Sequence, residues 1–137
     1  MQDNHSKSQQ GVLRGLHFQE QHTQGKLIRV ISGEIFDVAV DLRPESKTFG
    51  QHTSVILNAV QHQQLWIPPG FAHGFYTMSP FAELLYKTTD YWYPEFERSL
   101  LWNDPALGIT WPAMGSPLLS AKDSAGAKFK DLVLCEQ

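Results

Sequence analysis

The sequence has almost no cysteine: Cys135, close to the end of the 137-residue chain, is the only one. An intramolecular disulfide is therefore excluded, and so is a cysteine-built zinc site, which needs several thiolates. Long hydrophobic runs are also missing. No apolar stretch approaches the roughly 20 residues that span a bilayer, and the polar start Met1-Gln2-Asp3-Asn4-His5-Ser6 lacks the apolar core of a signal peptide. These absences read as a soluble cytoplasmic protein with no membrane partner. Positive charge is not in excess: 11 Lys and Arg against 14 Asp and Glu leave a net charge of -3. That argues against an open basic track for nucleic acid, but leaves room for a local basic pocket that takes a phosphorylated small molecule. Repeats, low-complexity tracts and linkers are absent, so residues 1–137 read as a single domain, and 42% hydrophobic content suffices for its core.

What is present is a succession of short strand signals broken by Gly and Pro. Gly11 to Gln19 reads as a strand, Glu20 to Gly25 as a polar turn, and Leu27 to Ile31 as a strand followed by a hairpin signal at Ser32-Gly33. From Ile35 to Leu42, the residues Phe36, Val38, Val40 and Leu42 share one face while Asp37 and Asp41 take the other, the alternation of a half-buried strand. Arg43 to Gly50 is a loop. Further strands are expected at Thr53 to Leu57, Gln64 to Ile67, Ala72 to Met78 and Glu83 to Thr89, with a short helix or two between Ser120 and Leu132. The pattern is that of an all-β sandwich or barrel.

Four clusters carry candidate chemistry. In Leu13-Arg14-Gly15-Leu16-His17-Phe18-Gln19 a cation and an imidazole share a strand. Alternation puts Arg14 and His17 on opposite faces, and Gly15 between them can host a bulge that re-aims one. The plain alternative is a surface arginine and a hydrogen-bonded core histidine. Gly25-Lys26 opens a strand, where a lysine is ordinarily a solvated edge charge. Along Glu83 to Pro94, Leu84, Tyr86 and Thr88 share a face, and Tyr91-Trp92-Tyr93 forms either a stacking platform for a base or an aromatic corner of the core.

The fourth cluster, Pro68-Pro69-Gly70-Phe71-Ala72-His73, resembles the second motif of the cupin superfamily. Metal-binding cupins join that histidine to a His-x-His pair, whereas His17 is followed by Phe18 and Gln19, so no catalytic metal is expected.

In order and spacing, the stretches QDNHSKS, GVLRGLHFQ, QGKLIRVISGEIFDVAVDLR, QLWIPPGFAHGF, LLYKTTDYWYP, LWNDPALGITWP and LSAKD together resemble the dTDP-4-dehydrorhamnose 3,5-epimerases. They run from Gln2 to about Asp123. The resemblance implies a cupin-type jelly roll with a short C-terminal helical segment, a homodimer, and inversion of C3 and C5 of dTDP-4-keto-6-deoxyglucose without a cofactor. It implies His17 as base, Asp123 as the carboxylate that orients it, Tyr86 as acid, and Lys26 beside the C4 oxygen. Arg14, Lys122 and His73 match binding positions, and Gln2, Asp3 and Asn4 match a segment that contacts the nucleotide. Trp92 stands where the family usually has a tyrosine that stacks on thymine. Family members carry some tens of residues before QDN, including strands packed across the dimer and an arginine and a glutamate that help hold the substrate. The resemblance therefore implies a shortened N-terminus, weaker substrate binding and an exposed sheet edge. Three other outcomes are kept: a single-site epimerase of a related deoxysugar, a nucleotide-sugar-binding domain without catalysis, and a metal-dependent cupin.

Overall fold

The computed structural model describes residues 1–112 and 115–132, and Cys135 falls outside them. Among the described residues nine strands are formed: β1 (Gln2–Gln9), β2 (Leu13–Gln19), β3 (Lys26–Ser32), β4 (Glu34–Asp41), β5 (His52–Asn58), β6 (Gln64–Ile67), β7 (Phe71–Thr77), β8 (Phe81–Thr88) and β9 (Glu97–Ser99). One short helix, α1 (Ala121–Ser124), and a 3-10 turn at Phe129–Asp131 follow in the tail. The strands make a four-stranded sheet in the order β1-β8-β3-β6 and a five-stranded sheet in the order β5-β4-β7-β2-β9. All named strand pairs are antiparallel. The all-β expectation and the short helical tail agree with this arrangement. Among the described residues no helix is long and apolar enough to cross a membrane.

Two strand readings need correction. Ser32-Gly33 does not close a hairpin, because β3 pairs with β6 and β8 while β4 pairs with β5 and β7. The turn instead hands the chain from one sheet to the other. Gly33 adopts φ +83°, and a Cβ there would stand 2.1 Å from the Phe81 carbonyl oxygen, so the crossing is made where backbones nearly touch. The second correction concerns β4, which is buried on both faces. Ile35 packs with Ile28, Val30, Leu57 and Leu84 between the sheets. Val38 and Val40, on the other face, pack with Leu16, Leu100 and Leu107 under the tail residues Trp111 and Phe129. Asp37 and Asp41 are consequently 0% and 1% exposed rather than solvated. Each aliphatic side chain buried in these two cores contributes about 1.5–3 kcal/mol relative to exposure.

β1 was not foreseen. It lies along β8 with Gln2 opposite Thr88 and Asn4 opposite Tyr86. Its even-numbered residues share a face with Leu84 and Tyr86, which pack toward the inter-sheet core. Asp3, His5 and Lys7 turn to the outer face.

Candidate active site

The local fold of β2 decides where His17 points. Its pairing with β7 shifts between Arg14 and His17, as a bulge at Gly15 requires. Gly15 has φ +115°, and a Cβ there would lie 2.6 Å from Cα of Gly74 and 2.7 Å from the His73 carbonyl oxygen. Only glycine fits. After the shift His17 stands opposite His73 on one side and Ser99 on the other.

Asp123 reaches the same place from α1. Ser120 caps that helix by accepting the Asp123 amide at 3.1 Å, which fixes the start of the side chain. One oxygen of Asp123, Oδ1, accepts from Nε2 of His17 at 2.6 Å, and the other accepts the Gly15 amide at 3.2 Å. Burial opposes the Asp123 charge, but the hydrogen bond and charge of His17 and the Gly15 amide outweigh it and hold the carboxyl below its usual range. With Nε2 committed to Asp123, Nδ1 of His17 is the nitrogen left to accept a proton. It faces Oε1 of Glu97 at 3.9 Å.

Lys26 opens β3, opposite Ile67 and Thr88. The Trp66 ring occupies the space beside Gly25, 2.4 Å from where a Cβ would stand, so a side chain at the turn into Lys26 would have to displace that ring. Burial pushes the Lys26 amine down from its usual value, while the negative charges of Glu97 and Asp37 push it back up. Tyr86 rises from β8, the neighbour of β3 in the four-stranded sheet, whereas His17 lies in the five-stranded one. Burial raises its phenol, Glu97 raises it further, and Arg14 opposes both. Asp37 binds Nε2 of His73 at 2.8 Å, and its second oxygen has no hydrogen-bond partner among the described residues.

Two separate clefts open here, one beside Lys26 and one beside His17, and Tyr86, Asp37 and His73 are not among the residues that line them. The larger, about 700 Å³, is lined by Lys26 together with Phe18, Gln19, Arg43, Glu45 and Phe71. The smaller, about 390 Å³, is lined by Arg14, His17, Lys122 and Asp123. Arg14 donates through Nε to Ser8 at 2.9 Å, and Lys122 binds Oε2 of Glu97 at 2.5 Å. Gln2 accepts the Trp92 amide at 2.9 Å through Oε1 and donates to Asn4 at 3.3 Å. Gln19 accepts the Tyr93 amide at 2.8 Å. These bonds pin the aromatic run and leave the Trp92 side chain exposed. Asp3 departs from its neighbours: it lies on the outer face and pairs with Lys87 at 3.3 Å. Among the described residues, no three His, Cys, Asp or Glu side chains assemble as metal ligands.

The profile of the dTDP-4-dehydrorhamnose 3,5-epimerase family matches residues 1–131. The chain belongs to that family. The family's enzymes are isomerases. Its epimerase from Pseudomonas aeruginosa is 59% identical over 131 residues, covering 96% of this chain and 72% of the relative. That from Salmonella typhimurium is 58% identical over 137 residues, covering 99% and 75%. Among solved structures, the dTDP-6-deoxy-D-glucose-3,5-epimerase of Legionella pneumophila, in complex with dTDP-4-keto-L-rhamnose, superposes with a TM-score of 0.93 at 55% identity, covering 97% of this chain and 70% of that one. A 3'-monoepimerase from Streptomyces bikiniensis in complex with dTDP-quinovose gives 0.87 at 34% identity, covering 93% and 65%. The two-sheet sandwich is thus the cupin-type jelly roll of these epimerases.

Set within the epimerase family, the site holds three groups that sequence reasoning passed over. Asp37 was assigned to a solvated face. Ser99 donates to Asp123 at 3.4 Å. Glu97, in the Glu-Phe-Glu-Arg run, carries no local signal beyond charge. The clue available for Glu97 and Ser99 was their spacing of two, which puts both on one face of a strand.

Proposed function

We propose that this chain epimerises C3 and C5 of dTDP-4-keto-6-deoxyglucose through an enolate. What supports the proposal is the His17–Asp123 pair at 2.6 Å, on the sheet that does not carry Tyr86 and Lys26. The C4 ketone acidifies the protons on both neighbouring carbons. Nδ1 of His17 removes such a proton, and Asp123 stabilises the imidazolium that results. The Lys26 ammonium stands at the C4 oxygen and favours the enolate. Tyr86 returns a proton from the opposite face, a task suited to a phenol that burial and Glu97 keep protonated. Arg14 and Lys122 hold the diphosphate. Trp92 stacks on the thymine, with Gln2 and Asn4 beside it, and His73 backs the sugar.

A nucleotide-sugar substrate points to a cytoplasmic setting, and the chain acts as a single domain. A homodimer is supported by the exposed apolar residues Ile31, Trp66, Phe81 and Leu85 on the four-stranded sheet. Light scattering tests it. The second reading, inversion at one carbon only, is favoured by the likeness to a 3'-monoepimerase.

Proton NMR of the protein with dTDP-4-keto-6-deoxyglucose in heavy water separates these readings. Loss of both the C3 and C5 signals is the expected result. Loss of one defines a single-site epimerase, and no exchange with dTDP still bound refutes catalysis.

A further inference from the structure

The segment 89–96 between β8 and β9 carries Trp92 yet contains no strand of its own, so other parts of the chain must hold it. Much of that hold comes from the turn 20–25 between β2 and β3. Backbone bonds tie the two at both ends: the Glu20 amide donates to the Phe96 carbonyl and the Thr89 amide to the Gly25 carbonyl, each at 3.0 Å. Gln24 donates to the Asp90 carbonyl at 2.9 Å, and Gln19 to the carbonyls of His22 and Tyr91 at 2.8 and 3.3 Å. Between these ties lies a ring contact. His22 is one of two non-glycine residues with positive φ among the described residues, at 55°. Its imidazole stacks on Tyr93 with centroids 4.2 Å apart, meets Phe96 at 5.6 Å, and sets Nδ1 3.4 Å from Oδ2 of Asp90. Oδ1 of Asp90 accepts the Tyr91 amide at 2.8 Å. Tyr93 is thus half-buried between His22 and Phe96, while its chain neighbour Trp92 stays exposed.

We propose that His22 is a positioning residue for the nucleotide: its ring, stacked on Tyr93 and set beside Asp90, holds the 89–96 segment so that Trp92 stands ready as the platform for the thymine. The inference rests on the reading of Trp92 as the stacking ring and extends it to a residue that acts through another. A binding ring on an irregular segment gains affinity when the segment is ordered beforehand, because less freedom is lost as the ligand arrives. His22 supplies that order from outside the sandwich. Its side chain is 44% exposed, so it adds little to either core, and what its ring stabilises is the aromatic segment. The left-handed backbone at residue 22 turns the imidazole onto Tyr93, and histidine is among the non-glycine residues that enter this conformation most readily.

The test is His22→Asn, which suits the same left-handed backbone while removing the ring. The dTDP dissociation constant is expected to rise about three- to tenfold, the loss of one stacked pair, while kcat at saturating substrate stays within about twofold. A second measurement reads the platform directly. Fluorine NMR of protein labelled with fluorotryptophan resolves the four tryptophans, with the Trp92 signal assigned through Trp92→Phe. In His22→Asn that signal should move or broaden, while those of Trp102 and Trp111, packed on each other, stay in place. An unmoved Trp92 signal in the folded variant overturns the proposal, as does an unchanged dTDP affinity where Trp92→Ala weakens it. If neither substitution weakens dTDP but the signal moves, the hold of His22 on the segment stands and the stacking role of Trp92 fails instead. If His22→Asn does not fold, Tyr93→Leu removes the other ring of the pair and is expected to move the Trp92 signal in the same way; an unmoved signal there overturns the proposal equally.

Discussion

Replacing Asp123 by Asn probes the pair on which the base depends. In the native arrangement Oδ1 accepts from Nε2 of His17 at 2.6 Å and Oδ2 accepts the Gly15 amide at 3.2 Å. An asparagine has one oxygen for these two donors. The Gly15 amide cannot stop donating, so the oxygen settles there and the new NH2 turns to Nε2. His17 must then carry its ring proton on Nδ1, the nitrogen that should accept one from the sugar. The charge-assisted hydrogen bond alone contributes about 1.5–3 kcal/mol, which corresponds to roughly 10- to 150-fold in rate. Tautomer inversion adds to this; at a comparable His–Asp pair in hydrolytic enzymes, Asp→Asn costs about 10⁴ in turnover. Exchange of both sugar protons in heavy water is therefore expected to slow by about 100-fold or more. Binding of dTDP should be nearly unchanged, because Asp123 faces the base and not the nucleotide. Exchange at C3 and C5 within threefold of wild type in a folded Asp123→Asn would refute the tautomer argument.

Tyr86→Phe should impair inversion more than initial proton loss, because abstraction does not require the acid; equal survival of exchange and inversion would remove Tyr86 from that role. Trp92→Ala should weaken dTDP binding by about 1 kcal/mol or more, read by calorimetry, and unchanged affinity would shift the stacking role to Tyr91 or Tyr93. Asp41, Asp104, Asp123 and Glu97 all have carboxyls held below their usual range in the fold. Depressed folded values mean that their stabilisation is complete above the unfolded values near 4 and is lost as pH falls through the folded ones. Denaturant midpoints should accordingly fall progressively as pH drops below about 5, and a flat profile would contradict this. Asp104→Ala strands the amides of Phe129 and Ala106, bound at 2.7 and 3.0 Å, and should cost about 2 kcal/mol in chemical unfolding.

Strands with an apolar alternation were legible in the sequence to within a residue or two, as with Gln64–Ile67 and Phe71–Thr77. β1 was not, because Gln2, Asn4, Ser6 and Ser8 put polar groups on the face that other strands fill with aliphatic ones. Asp37 misled for the opposite reason. A carboxylate on a regular strand reads as solvated, whereas here His73 compensates it inside the sandwich. The bulge at Gly15 was foreseeable, since one glycine stood between two chemically useful residues on a strand. The partnership of His17 with Asp123 spans 106 positions and follows from the tail's path. No local pattern encodes that path, so the pair was reached through family resemblance. The crossing at Gly33 failed for a related reason: a turn signal says that the chain bends, not which neighbour it finds afterwards.

The tail over the five-stranded sheet does two jobs with one stretch of chain. Phe129 and Trp111 close the second core, and Asp123, between them in sequence, supplies the carboxylate bound to His17, the proposed base. On the proposed mechanism, proton transfer is thereby coupled to a docking equilibrium: a molecule whose tail lifts by one local opening keeps its two sheets and loses its chemistry. Agents that loosen the tail, such as mild denaturant or a protease cutting near Ser116, should abolish turnover before the sheets report any unfolding.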